Sequence, residues 1–154
     1  MRLTLRLARN WVLWLVLAIC ALHMGAAPAM AGPAGGLSEG AGAAALACLN
    51  LLVTLGLRRE NVWISDIKGV VYKGRTELMD PYKEPFAQDT KARSLAEIIA
   101  GADIFLGLSA GGVLKPEMVA RMAQRPIILA LANPYPEILP EDAKKVRPDA
   151  IIAT

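Results

Sequence analysis

Gly40-Ala41-Gly42-Ala43-Ala44-Ala45 runs without interruption into the apolar stretch Leu46-Ala47-Cys48-Leu49-Asn50-Leu51-Leu52-Val53. Nothing else in the chain narrows the choice of fold so far. A G-x-G-x-x-A turn bends tightly at its first glycine and lets the backbone approach a pyrophosphate at its second. Its small third position lets a helix pack hard on a sheet. The helix that follows aims its free N–H groups and positive dipole end at the phosphates. Asp66 closes the strand-like Asn61-Val62-Trp63-Ile64-Ser65 and lies 24 residues after Gly42. That is near the ~20-residue spacing of the carboxylate that takes ribose hydroxyls in such units. The plainer alternative is a tight Ala/Gly turn at a helix start, and the rest of the chain has to decide.

The first 31 residues have the layout of a secretory signal peptide. Arg2, Arg6 and Arg9 precede the twelve-residue apolar run Trp11–Leu22, and Ala29-Met30-Ala31 offers a small-x-small cleavage pattern. The run is shorter than the ~18–20 apolar residues that span a bilayer. This leader carries three of the basic residues and none of the acids, so without it the net charge falls from +3 to zero. The basic balance therefore gives no support to nucleic-acid binding. His23 and Cys20 belong to the leader as well, which leaves Cys48 as the single thiol, expected to be buried in its apolar helix. A disulfide framework, Ser-His or Cys-His catalysis and His-ligated metal sites are excluded from the remainder.

Gly32 to Glu39 reads as a Gly/Pro linker. A dinucleotide turn normally follows directly on a buried parallel strand, and no run of Val, Ile or Leu stands immediately before Gly40. The spacing predicts a sheet that lacks its central strand. Beyond the turn, the pattern predicts a helix over 43–57, apolar on all sides and buried under a sheet, and a strand over 61–65. Residues 66–69 read as a loop, and Gly74–Asp89 as a polar, solvated excursion. Ser94-Leu95-Ala96-Glu97 is a capping box opening a helix that Gly101 ends. Strands at 103–107, 127–132 and 150–153 alternate with helices at 116–124 and 141–146, without hairpin signals. That is α/β: a doubly wound, Rossmann-like parallel sheet with helices on both faces, incomplete because the strand before the Gly-rich turn is missing.

Ligands of such sheets lie outside the carboxyl ends of the strands. The Gly40 turn, Asp66, the Ser109–Gly112 loop and Asn133-Pro134 all map there. Each has an ordinary alternative: a capping aspartate, a flexible connection, an Asn-Pro turn starter. Four on one rim favour a cofactor cleft. Asn133 both donates and accepts, which suits a nicotinamide ribose or a hydroxy acid. No catalytic pair is visible, and the closely spaced acids Asp80, Glu84 and Asp89 lie in the polar excursion.

Several separated segments now agree in order with one family. The Gly40–Cys48 turn, Val62-Trp63-Ile64-Ser65-Asp66-Ile67-Lys68-Gly69-Val70-Val71-Tyr72, Leu106-Gly107-Leu108-Ser109-Ala110 and Leu131-Ala132-Asn133-Pro134-Tyr135-Pro136-Glu137 resemble the NAD(P)-binding domain of malic enzymes. The bacterial type, often with a phosphate-acetyltransferase-like tail, is most similar. The resemblance covers Gly40 to Thr154, about three quarters of the chain. It implies oxidation of L-malate with NAD or NADP and decarboxylation to pyruvate and carbon dioxide, with Mg or Mn. It also implies that Gly40, Ala41, Gly42, Ala43, Ala44 and Ala45 form the pyrophosphate turn and that Asp66 contacts the adenosine ribose. Ser109 and Asn133 would lie against the nicotinamide half.

The family's catalytic tyrosine and lysine and its metal-binding acids lie upstream of the glycine turn, where this sequence has the leader. The family also continues beyond the position of Thr154. The expectation is therefore a cofactor-binding portion that is not catalytic alone, whose metal ligands are absent. The alternatives are an exported non-catalytic nucleotide-binding module and a remnant without activity. The partner expected is a small-molecule dinucleotide, with NAD slightly favoured by Asp66 and no nucleic acid. Homo-oligomerisation, missing segments supplied by another chain and engagement of membrane export machinery by the leader are further expectations. The family is cytoplasmic, whereas a genuine leader would make this chain exported or membrane-associated.

Overall fold

The computed structural model describes residues 15–18 and 41–154. Gly40, the linker at 32–39 and the leader-like residues other than 15–18 lie outside the described residues. Short apolar runs form the strands. They are β1 (Leu15–Ala18), β2 (Val62–Asp66), β3 (Gly69–Val70), β4 (Ile104–Gly107), β5 (Ile127–Ala130) and β6 (Ile151–Ala153). Between them stand α1 (Ala41–Thr54), α2 (Leu95–Ile98), α3 (Pro116–Ala120) and α4 (Pro140–Val146). One sheet contains all six strands in the order β3-β2-β1-β4-β5-β6. Every pairing is parallel except β2 with β3.

The central position of the sheet is not vacant, which corrects the expectation of a missing strand. Leu15-Val16-Leu17-Ala18 pairs with β2 on one side and β4 on the other. A continuous apolar run is what a parallel strand between two neighbours requires. The basic residues before this run and the small-residue pattern after it marked it as a leader, and its distance from Gly40 hid its role. The α/β, Rossmann-like class itself stands.

Alternation along the strands sends side chains to two cores. Val62, Ile64 and Leu106 pack with Ala45, Leu46 and Leu49 of α1. Phe105, Ile128 and Ala130 pack on the other face with Ile98 of α2, Val119 of α3 and Ala143 of α4. Helices therefore cover both faces. Only one side of α1 is buried, however: Leu51 is 60% exposed, and Cys48 is exposed rather than buried. A helix lying on a sheet covers a single stripe, so apolar composition all round does not bury it all round.

Three other expectations change. Residues 66–69 form a hairpin turn, since Gly69–Val70 pairs antiparallel with β2. Gly69 has φ +88°, and a side chain there would run into the Arg93 carbonyl oxygen. The signal was the apolar pair Val70-Val71 after a glycine. α3 stops short of residue 124 because backbone groups beyond it leave for another loop. The Ala123 N–H donates to Ala102 O at 3.0 Å, and Gly101 N–H to Arg121 O at 2.9 Å. β5 stops before residue 132 because the Ala132 N–H donates to the Glu137 side chain. The capping box is present, with Ser94 N–H donating to Glu97 Oε2 at 2.7 Å. No helix among the described residues is long and apolar enough to cross a membrane.

Candidate functional site

Sheet register sets the rim. Ala18, Ser65, Gly107 and Ala130 lie in one row at the carboxyl ends of β1, β2, β4 and β5. Asp66, Ser109 and Asn133 follow just beyond that row, on β2 and on the loops after β4 and β5. With about 4.8 Å between neighbouring strands, the span from β2 to β5 is roughly 14 Å. α1 packs on residues of β2 and β4 and therefore lies over β1 between them. Its C-terminus leads within a few residues into the start of β2, so its N-terminus stands at the carboxyl edge. The strand order reverses at this edge, with β2 on one side of β1 and β4 on the other, which is where open α/β sheets bind ligands.

The first turn of α1 contains Ala41, Gly42 and Ala43 and no acidic residue. Gly42 thus belongs to the helix itself rather than to the bend before it. Over its 14 residues the helix carries a full macrodipole, and the absence of a carboxylate leaves its N-terminal end free to attract an anion. Ala45 is fully buried against the sheet, the close packing that the small third position of the motif allows.

Asp66 is buried and heavily engaged. Arg75 Nη2 donates to Oδ1 and Oδ2 at 2.7 and 2.6 Å, Lys83 Nζ to Oδ2 at 3.1 Å, and Lys68 N–H to Oδ1 at 2.8 Å. A carboxylate offers about four lone-pair sites, and four contacts use them. Arg75 is equally committed, with its other N–H groups on the carbonyl oxygens of Gly69, Val70 and Glu77. The Gly74–Asp89 excursion, read from sequence as a solvated surface, therefore turns Arg75 and Lys83 inward. Phe86 of the same segment is buried as well. A cavity of about 680 Å³, lined in part by Tyr72, Arg75, Met79 and Glu84, lies within this segment.

Glu137 is the residue that sequence reasoning missed. It is fully buried. Its Oε1 accepts from the Ser109 N–H at 2.8 Å and the Ser109 hydroxyl at 3.3 Å, and its Oε2 from the Ala132 N–H at 3.1 Å. Its carbonyl oxygen accepts from the Leu114 N–H at 3.1 Å, and the Gly112 N–H donates to Pro136 O at 3.1 Å. One residue thus joins the loops that carry Ser109 and Asn133. Ser109 is half-buried and Asn133 exposed, and the Asn133–Pro134 bond is cis. The Asn-Pro-Tyr-Pro-Glu segment was visible in the sequence, but nothing in it says that the terminal Glu turns inward.

The dinucleotide fits this edge: an acid-free helix N-terminus lies between two sets of rim residues. Among the described residues no three His, Cys, Asp or Glu side chains converge. Asp80 Oδ1 instead accepts from the N–H groups of Tyr82 and Lys83 at 2.8 and 2.9 Å, capping a turn.

The family model of the malic enzyme NAD-binding domain matches residues 33–154. An NAD-dependent malic enzyme of Rhizobium meliloti is 66% identical over 118 residues, which is 77% of this chain and 15% of that protein. An NADP-dependent malic enzyme of Haemophilus influenzae is 59% identical over 119 residues, covering 77% of this chain and 16% of that protein. The chain therefore spans about 15% of the length of these relatives. Among solved structures, the NAD-dependent malic enzyme of Thermotoga maritima superposes with a TM-score of 0.68 at 30% identity. It covers 92% of this chain and 33% of its own. A fold built around this edge and a family match over most of its length agree: the chain belongs to the malic enzyme family, over that family's NAD-binding domain.

Proposed function

We propose that this chain is the dinucleotide-binding portion of a malic enzyme, an oxidoreductase that converts L-malate to pyruvate and carbon dioxide. The observation that carries this reading is the acid-free N-terminus of α1 at the point where the strand order reverses. Gly40, Ala41, Gly42, Ala43, Ala44 and Ala45 receive the pyrophosphate, while Ser109 and Asn133 face the nicotinamide half. Asp66 organises the adenosine side through the segment it anchors, since its own oxygens are already engaged. When bound, the dinucleotide supplies the hydride acceptor.

Both NAD and NADP are accepted in this reading. A free carboxylate at the end of β2 repels a 2′-phosphate, but here Arg75 and Lys83 more than offset the charge of Asp66. The slight preference for NAD that Asp66 suggested loses its electrostatic ground. In this reading the proton-transferring group and the metal ligands of the reaction come from malic-enzyme segments other than the residues described. On the same reading Leu15–Ala18 serves the sheet, and a leader cleaved after Ala31 would take that strand with it.

Intact mass and thermal shift on one sample of the purified chain test these statements. The expected result is a full-length mass and a melting temperature raised by both NAD and NADP. A mass beginning at Gly32 with an undiminished response to cofactor would support the exported binding module instead. A cooperative melt that neither cofactor moves would overturn the dinucleotide reading.

A further inference from the structure

Glu137 poses a physical question that the fold alone does not answer. Burying a carboxylate is costly unless its acceptor sites are filled, and among the described residues no cation pairs with it. An apolar side chain would occupy the same space without that cost. The donors explain the choice. The N–H groups of Ser109 and Ala132 lie just past the ends of β4 and β5, where the ladder between the two strands has run out. Left without an acceptor, each would cost about 1–3 kcal/mol. A carboxylate accepts at both ends, whereas an amide turns an NH2 towards one of the donors.

The rest of the rim is built to the same clamp. A side chain at Gly107 would collide with the carboxyl group of Glu137, and one at Gly111 would press on Tyr135 Cβ at 2.8 Å. Ser109 is held by both its N–H and its hydroxyl. Asn133 follows Ala132, whose N–H is the other end of the bridge. We propose that Glu137 is a positioning residue for the nicotinamide ring of the dinucleotide, setting Ser109 and Asn133 at one fixed separation across β4 and β5. The proposal rests on the dinucleotide reading and adds to it a residue that acts on one half of the ligand only. The N-terminus of α1 stands over β1 and Asp66 at the end of β2, whereas the clamp joins the loops after β4 and β5.

The test uses the full 154-residue chain and compares affinities for NAD and for ADP-ribose, which lacks only the nicotinamide. In Glu137→Gln the expected result is NAD binding weakened about tenfold, the scale of one lost hydrogen-bonded arrangement, with ADP-ribose binding within about twofold of the parent. Glu137→Asp keeps the acceptor chemistry with a shorter reach and is expected to show a smaller selective loss. It also carries the test should Glu137→Gln not melt cooperatively. A purely structural role lowers both affinities together, and that result, or no change in either, overturns the proposal. If the parent chain binds ADP-ribose but gains nothing from the nicotinamide, the proposal fails while the dinucleotide reading survives. If it binds neither ligand, both fail.

Discussion

Asp66 shows how far a single residue's role depends on its neighbours. Its place at the end of a strand, 24 residues after Gly42, is the place of a ribose acceptor, yet Arg75 and Lys83 take up its charge. Asp66→Asn leaves two cations facing a neutral amide. Breaking a buried pair in this way is expected to cost about 3–5 kcal/mol, read from a urea or thermal melt. The same variant is expected to leave the ratio of NAD to NADP affinity within about twofold, since the carboxylate is not free to discriminate. A changed ratio with unchanged stability would return Asp66 to the ribose. Asp149 is a surface counterpart. The Arg147 guanidinium, then the Arg125 N–H, hold its carboxyl well below its ordinary value of 3.8. A group depressed in the folded state stabilises fully above its unfolded value, and the contribution fades as pH falls through lower values. The melting temperature is therefore expected to drop below about pH 4, and less steeply in Asp149→Asn. Equal slopes would remove Asp149 from the account. The partners of both aspartates lie at separations with no periodic signature, so only Asp66's position, and neither residue's engagement, was legible.

Among the elements, α1 separates composition from burial. Leu49 is fully buried and Leu51 is 60% exposed, although the sequence around them is almost uniformly apolar. Leu49→Ala is expected to cost about 2–5 kcal/mol, while Leu51→Ala stays within about 0.5 kcal/mol. Comparable losses in the two variants would show that something covers the outer stripe. Apart from β3, the existence and order of the main helices and strands from α1 to β6 were readable from periodicity, caps and glycines. Their ends were not. α3 and β5 both stop where a backbone N–H finds a partner outside its own element, Ala102 O in one case and the Glu137 carboxylate in the other. Long-range competition for a hydrogen bond leaves no mark on local propensity.

For the whole molecule, β1 is the element on which the two halves of the sheet meet. Without it, β2 and β4 become unpaired edges. A chain beginning at Gly32 is therefore expected to lose its cooperative melt and its response to cofactor, as judged by thermal shift beside the full-length chain. Retention of both would mean that the sheet does not depend on Leu15–Ala18. Local sequence was enough to settle the α/β class, the succession of elements beyond Gly40 apart from β3, and the carboxyl edge on which Ser109 and Asn133 lie. Each of these follows from short-range pattern, in turn chemistry, helix caps and the alternation of apolar runs. Three things waited for the fold: that an apolar run far upstream fills the central strand, that Asp66 spends its charge on Arg75 and Lys83, and that Glu137 turns inward to join two loops. All three are pairings between residues distant along the chain, and a local pattern constrains which side a residue faces but not which partner it meets there.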